Sequence, residues 1–496
     1  MQQILSKTKY CRGIQCPKML WMDINKPEVA QDTGKEAILR NGTAVGEFAR
    51  GYFGEFVEVE STWDKKKMCE DTERLMKEGH ESIAEASFEY EGCFCSVDIL
   101  HRVGDDIDIV EVKSSTEVHE IYLYDMAYQY YVLTHCGIRV SHVYNLHINN
   151  EYVRQGELEI KELFALEDCT RSILPYLHGI DENICSFKKY QEMTDEPDTD
   201  IDIYCDKPYE CVYKQYCFDK KGIPGESVFN IHRLAVAKKY DLYHNGIISY
   251  PDIIQKKPLL NEKQWRQVEV SYNNELPKIE KASIKAFLDK LSYPLYHLDF
   301  ETFQQAIPEY DGIRPYMQIP FQYSLHVQHT PQGEPEHFEF LAKEGTDPRR
   351  ALAESLVRDI PENVCSMAYN MTFEKTVIRN LAELFPDLKE HLMNIHDNMK
   401  DLMVPFRDQS YYCKEMKGSY SIKWVLPALC GDDPELDYHA LEGIHNGSEA
   451  MDAFAVLAEK TPEEISRIRR NLLAYCRLDT LAMVKVLNKL YECCGI

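Results

Sequence analysis

The sequence predicts an α/β multidomain protein, and three observations predict it. Residues 105–113, DDIDIVEVK, carry Ile107, Ile109, Val110 and Val112 on both faces of an extended run, the pattern of a strand buried on both sides. Residues 292–302, SYPLYHLDFET, open a second region of alternating strand character. Helix-like runs alternate with strand-like ones around both, which is an α/β order. At 496 residues, two to four domains are expected from roughly 100–200 residues per domain. KKGIPGES (220–227) reads as a linker, and a fresh strand starts near 292, so the expected domains are 1–225, 226–292 and 293–496.

The formal net charge is −26, with 82 acidic and 56 basic residues. A chain of this balance is not a general nucleic-acid magnet, so any nucleic-acid path must be a local basic groove or rely on bound metal ions. No run approaches the roughly 18 apolar residues of a membrane span. The opening MQQILSKTKYCRGIQC lacks the apolar core of a signal peptide. The expected location is therefore cytoplasmic, with no membrane partner; protein partners are not legible. Seventeen cysteines in such a compartment are not a disulfide framework. Most are expected to be small buried apolar-like residues, with spacing deciding which bind metal.

The N-terminal elements follow in order. A helix-like run, GTAVGEF within it, precedes the hairpin-like SFEYEGCFCSVDILHRV. Then come the DDIDIVEVK strand, a helix YLYDMAYQYYVLTHCG and a strand RVSHVYNLHI. TDEPDTDIDIYCD (194–206) reads as an exposed acidic loop. YHNGIISYPDII (243–254) reads as a turn between helices, and 262–291 as helical.

Three constellations carry chemistry. The first is Asp98, placed at the end of one strand, with Glu111 and Lys113 on one face of the next. A charge at a buried strand end is costly unless it is paired or binds a metal. Two carboxylates suit Mg²⁺, and Lys113 is placed to orient or help deprotonate a water, an arrangement suited to phosphodiester hydrolysis. Spacing alone leaves open a surface hairpin with an ordinary ion pair.

The second is Cys16 in GIQCPKMLW with Cys205, Cys211 and Cys217 in CDKPYECVYKQYC. Four thiolates hold an iron–sulfur cluster or a zinc ion, and either would pin together the two ends of the N-terminal domain. Cys11 is the rival for Cys16.

The third is Asp299 and Glu301 on one strand face, Glu374 early in a helix within SMAYNMTFEKTVI, and Tyr475 with Asp479 on one helix face in LLAYCRLDTLAMVKVL. Four carboxylates and a tyrosine fit a two-metal hydrolase using Mg²⁺ or Mn²⁺, with Tyr475 orienting the attacking water.

These motifs carry a resemblance. Asp98, Glu111 and Lys113 resemble the core of PD-(D/E)XK nucleases of the RecB-like branch. That resemblance implies Glu47 as an upstream metal-binding acid and Gln129 as a substrate contact, although Leu133 stands where the branch usually has tyrosine. It also implies that Cys16, Cys205, Cys211 and Cys217 bind a [4Fe–4S] cluster, with zinc the lesser alternative. Residues 293–496 resemble the DEDD exonucleases of the RNase H-like fold, tyrosine subtype; Glu374 departs from the usual aspartate, and Asp401 is the substitute ligand should Glu374 fail. The whole chain resembles a bacterial family that fuses the two. The implied function is a metal-dependent DNA nuclease with two active sites, in DNA repair or processing of foreign DNA. The alternatives are an RNA-processing 3′ exonuclease with the N-terminal domain as platform, and a nucleic-acid-binding protein without activity.

Overall fold

The computed structural model describes residues 4–31, 36–431 and 433–496, with the backbone alone at 36–41 and 439. The chain divides into two compact units, Met1–Ile223 with Gln305–Tyr316, and Pro224–Gln304 with Met317–Ile496.

The first unit is built on a seven-stranded sheet. Its strands are β1 (Leu5–Ser6), β2 (Val57–Glu58), β3 (Ser82–Tyr90), β4 (Cys93–Val103), β5 (Asp106–Lys113), β6 (Val140–Ile148) and β7 (Phe164–Asp168). The order is β2-β3-β4-β5-β6-β7, with β1 beside β4. β3, β4 and β5 form an antiparallel meander, and β5 pairs with β6 in parallel after the helix Glu120–His135. The β3–β4 turn has φ 47° at Glu91 and 78° at Gly92, the doubly left-handed loop that suits a twisted hairpin.

Both faces of β5 are covered, as its β-branched run predicts. Ile107 and Ile109 pack with Tyr10, Tyr128, Val132 and Phe187. Val110 packs on the other side with Val45, Ile99, Leu146 and Phe164. Glu111 and Lys113 share the Ile109 face, toward the helix Glu120–His135. The short helix Lys7–Gln15, capped by the Ser6 side chain, lies on the same side. A Cβ at Gly13 would meet the Phe187 ring at 2.7 Å, so glycine there permits the close helix packing.

The second unit begins with helices Val236–His244, Tyr250–Lys256 and Glu262–Tyr272 around a small core of Val228, Ile231, Leu242, Ile253 and Val268. The helix expected over 262–291 is two helices. Asn273, left-handed Asn274 and Pro277 break it, and β8 (Lys278–Ile279) intervenes before Lys281–Leu288.

The larger sheet of this unit has strands β9 (Leu295–Phe303), β10 (Ile319–Gln328), β11 (Glu336–Leu341), β12 (Cys365–Ala368) and β13 (Met399–Asp401); β14 (Tyr411–Tyr412) pairs with β8. The order is β11-β10-β9-β12-β13, antiparallel on the β10–β11 side of β9 and parallel on the other. Tyr296, Leu298 and Phe300 face one apolar layer with Leu352, Leu356, Val377 and Ile378. His297, Asp299 and Glu301 alternate onto the opposite face, and the 33-residue helix Pro462–Cys494 crosses it. Several polar groups on this face pair with the long helix. Thr480 hydrogen-bonds Ser324 at 2.6 Å and His326 at 2.7 Å, and the Gln322 amide donates to the Leu472 carbonyl at 2.8 Å. A capping box of Thr461 and Glu464 fixes where the long helix starts. Among the described residues, no helix is long and apolar enough to cross a membrane.

Candidate functional site

In the first unit, Asp98 lies inside β4 rather than at its end, because β4 continues to Val103. The β4–β5 ladder stops at Ile99–Val110, and there the Val112 amide donates to Asp98 Oδ2 at 2.7 Å instead. Glu111 is 1% exposed and is gripped from three sides. Lys113 Nζ donates to its Oε1 at 2.5 Å, the Gln129 amide to its Oε2 at 2.6 Å, and Lys7 Nζ to its Oε2 at 3.1 Å. Lys7 also reaches Asp98 Oδ1 at 3.4 Å, and Lys113 reaches Asp125 Oδ2 at 3.1 Å.

The charges therefore interlock. Burial opposes the ionised form of Glu111, but Lys113 and Lys7 hold its carboxyl well below the usual range. Burial and the Glu111 charge push Asp98 up to about 7, against the pull of both lysines. Burial opposes the charge on Lys113, yet Glu111 and Asp125 raise its pKa well above normal. In this arrangement Lys113 is held as a positive charge between Glu111 and Asp125.

Gln129, expected at substrate, is fully buried and donates to Glu111 and Asp125. Glu47 is exposed on the helix Glu36–Ala49, and among the described residues no hydrogen bond or ion pair ties it to the other three. The further carboxylate that feels Lys7 and Glu111 is Glu85, paired with Arg50 at 3.7 Å; it sits at a left-handed φ of 57° between Ala84 and Ala86, which pair with Ile99 and Val97. Lys7, Asp125 and Glu85 were not singled out in the sequence. Asp125 and Gln129, four apart on one helix, were a readable signal. Lys7 and Glu85 had none. Lys113 opens on a cavity of about 300 Å³ shared with Tyr122, Tyr209 and Cys11.

Cys16, Cys205, Cys211 and Cys217 line one narrow pocket. Cys16 ends the helix Lys7–Gln15, and the amide of Cys211 donates to the Cys205 carbonyl at 3.0 Å. Met19, Met22, Trp21 and Tyr213 surround the pocket. Burial pushes the Cys16 and Cys211 thiols up to about 11, which disfavours free thiolates until a cation compensates them. All four are free of disulfides. Cys11 lies instead beside Asp125 and Lys113. The acidic loop is not simply solvated: Glu196 gathers Lys18 and Lys220, each at 2.8 Å, and Lys26 at 3.2 Å, locking the segment across the cysteine pocket.

The second unit brings Asp299, Glu301, Glu374 and Asp479 together. Asp299 and Glu301 come from β9, Glu374 from the first turn of the helix Thr372–Leu384, and Asp479 from the long helix. Burial first, then the charges of Asp479, Glu301 and Glu374, raise the Asp299 carboxyl well above its normal range. Burial and Asp479 push Glu301 up to about 8; burial, with Asp401 adding, pushes Glu374 up to about 8. Burial pushes Asp479 up to about 6, against the hydrogen bonds from Tyr438 and Tyr475. Tyr438 donates to Asp479 Oδ1 at 2.6 Å.

Among the described residues no ion pair reaches any of these four carboxylates, and Glu374 Oε2 is buried without a hydrogen-bond partner. Lys423 is the cation they feel at longer range. Asp401, in contrast, is capped by the Asn370 and Met403 amides at 3.0 Å and paired with Arg407 at 3.7 Å. Asp299, Glu301 and Cys476 offer one ligand atom each within 4.8 Å of one another, a spacing at which the three could hold one metal ion. Cys476 and Tyr438 were missed: a lone cysteine and a loop tyrosine have no spacing signal.

A pH dependence follows. Between about 4.5 and 8, Glu301 and Glu374 keep protons in the folded protein that the unfolded chain has released, so stability falls as pH rises. Buried His297, His326 and His337, with pKa values lowered by burial to about 4, 3 and 4, oppose this only below about 6.5. From pH 6.5 to 8 in EDTA, the second unit should lose on the order of 2 kcal/mol, or roughly 5 °C in thermal unfolding. Mg²⁺ should flatten the slope by favouring the ionised carboxylates, and Glu374→Gln should flatten it without metal. A flat wild-type profile in EDTA contradicts the account.

Residues 296–421 match a domain family described as a domain of unknown function (DUF2779), which takes in Asp299, Glu301, Glu374 and Asp401 but ends before Tyr475 and Asp479. An uncharacterized protein, UU173, of Ureaplasma parvum serovar 3 is 25% identical over 236 residues, 43% of this chain. The aligned part spans 34%, about a third, of that relative's length. No solved structure matches.

Proposed function

We propose that this chain is a metal-dependent nuclease acting on DNA, with a DEDD-type 3′ exonuclease site on an RNase H-like second unit and a PD-(D/E)XK site in the first. One observation carries it: four carboxylates, Glu301 and Glu374 buried and Asp299 and Asp479 half-buried, converge in the second unit with no ion-pair partner among the described residues. An uncompensated buried anionic cluster is expensive, and a bound divalent cation is its natural complement. Asp299, Glu301, Glu374 and Asp479 would hold Mg²⁺ or Mn²⁺. Such ions supply Lewis-acid stabilisation at a phosphodiester. Tyr438 and Tyr475 hold Asp479 in its ionised, oriented form.

Cys16, Cys205, Cys211 and Cys217, which line one pocket, would hold a [4Fe–4S] cluster, with zinc the lesser alternative. DNA repair or removal of foreign DNA is the setting that fits such a pair of sites.

A second reading has its own observation. Lys7 bridges Asp98 and Glu111, so the first unit's site is already neutralised from within. On that reading the first unit is a platform, and the second trims RNA. Labelled single- and double-stranded DNA and RNA, incubated with Mg²⁺ or Mn²⁺, separate the two. The lead reading expects DNA cleavage, with Lys113→Ala removing one of two activities. RNA trimming that is indifferent to Lys113→Ala selects the platform. No hydrolysis of any substrate sinks both.

A further inference from the structure

A cavity of about 210 Å³ in the second unit lies apart from the carboxylates. His232, Arg233, Lys263 and Arg407 line it, and no acidic residue does, in a chain with 82 acidic residues. Local inversion of the overall charge is the first observation.

The donors are also held ready. The Arg233 guanidinium sits 5.0 Å over the Tyr420 ring, and among the described residues neither Arg233 nor Lys263 has a carboxylate partner. Lys263 Nζ donates to the Arg407 carbonyl at 2.6 Å, which leaves two of its protons for a ligand. Arg407 spends Nε on Asp408 at 3.3 Å and one terminal nitrogen on Asp401 at 3.7 Å, leaving the other. His232 Nε2 is buried without a hydrogen-bond partner. The back wall is rigid: Gln267 accepts from the His232 amide at 2.9 Å and donates to the Asn230 carbonyl at 2.9 Å and Tyr250 Oη at 2.8 Å.

The backbone around the cavity is strained toward this shape. Arg233 and Gln409 adopt left-handed φ values of 52° and 56°. Gly418 has φ 76°, and a Cβ there would meet the Gln267 amide oxygen at 2.2 Å.

We propose that this cavity is an anion site that binds a phosphate group, as free phosphate or on a nucleoside monophosphate. Arg233 and Lys263, neither with a carboxylate partner among the described residues, and the terminal nitrogen that Arg407 leaves are the donor set such a group needs. A mononucleotide is also what the proposed exonuclease would release, but the site stands on its own donors.

The test is calorimetric titration of the full chain in EDTA, so that no metal can hold phosphate at the carboxylates. The probes are inorganic phosphate, a nucleoside monophosphate and the matching neutral nucleoside. Expected are binding of one or both phosphate-bearing probes, weak or no binding of the nucleoside, and affinity at least about tenfold weaker in R233E/K263E. Both substituted positions lie on the cavity rim; should that variant not fold, R233A/K263A takes its place. Tighter binding of the monophosphate than of inorganic phosphate assigns the nucleotide; the reverse assigns free phosphate. The proposal is overturned if neither phosphate probe binds, if the nucleoside binds as tightly as its monophosphate, or if the double variant binds undiminished. Phosphate binding in a protein that hydrolyses nothing would sink only the nuclease reading.

Discussion

Asp299→Ala is expected to lower metal-dependent hydrolysis by the second unit at least about 10³-fold, because Lewis-acid stabilisation worth several kcal/mol is lost with the metal. Asp299 is the residue on which the charges of Asp479, Glu301 and Glu374 converge. It stands on a central strand whose opposite face is locked by Leu298 and Phe300, so the site cannot recruit a replacement by shifting β9. Removing one of four mutually repelling carboxylates should at the same time stabilise the metal-free protein near pH 8. Lower activity with higher metal-free stability is a pairing that a merely structural residue would not give. Tyr475→Phe should do less, about 10- to 100-fold, since Asp479 loses one of two hydroxyl donors and Tyr438 remains. Steady-state rates and thermal unfolding in EDTA, on the same preparations, check both.

Cys211→Ser is expected to remove colour and stability together. Wild-type protein purified without oxygen should be brown, with about four irons per chain. Cys16 and the later three cysteines close a loop containing β2 to β7, so a cluster held by them ties both ends of the first unit. Its loss should cost on the order of 10 °C or more in the unfolding of that unit, since metal binding there is also folding energy. Iron analysis, the visible spectrum and thermal unfolding measure it. A colourless, folded wild type carrying zinc would overturn the cluster but keep the four-ligand pocket. A Cys211→Ser protein as stable as wild type would overturn both.

The parts legible in the sequence were those written in local periodicity. The β-branched run around Ile109, the alternation from Leu295 to Phe303 and the long apolar stripe through Leu478 and Val486 each imposed one element and one orientation. They also placed the charged residues that ride on them: Glu111 and Lys113 share a face because the strand period is two, and Tyr475 and Asp479 share one because they are a helical turn apart. What the sequence hid arrives from elsewhere in the chain. Lys7 reaches Glu111 across 104 positions and Tyr438 reaches Asp479 across 41, so no spacing marks either. Glu85 comes near Lys7 and Glu111 only through the pairing of β3 with β4, and the acidic loop's Glu196 matters only because Lys18, Lys26 and Lys220 fold around it. Gln129 was visible, but its direction was not. A helix apolar nearly all round gives no outward face, and burial turned the amide inward to Glu111.

The central claim is that the four-carboxylate centre hydrolyses nucleic acid from its 3′ end. Its most direct measurement uses Lys113→Ala protein, in which the second unit's site alone is intact, on 5′-labelled single-stranded DNA with Mn²⁺ or Mg²⁺. The account predicts a metal-dependent ladder of products shortened one nucleotide at a time from the 3′ end, with mononucleotides released, and its loss in Lys113→Ala/Asp299→Ala. An undiminished ladder in the double variant, or no trimming by Lys113→Ala protein that demonstrably binds the metal, would contradict it.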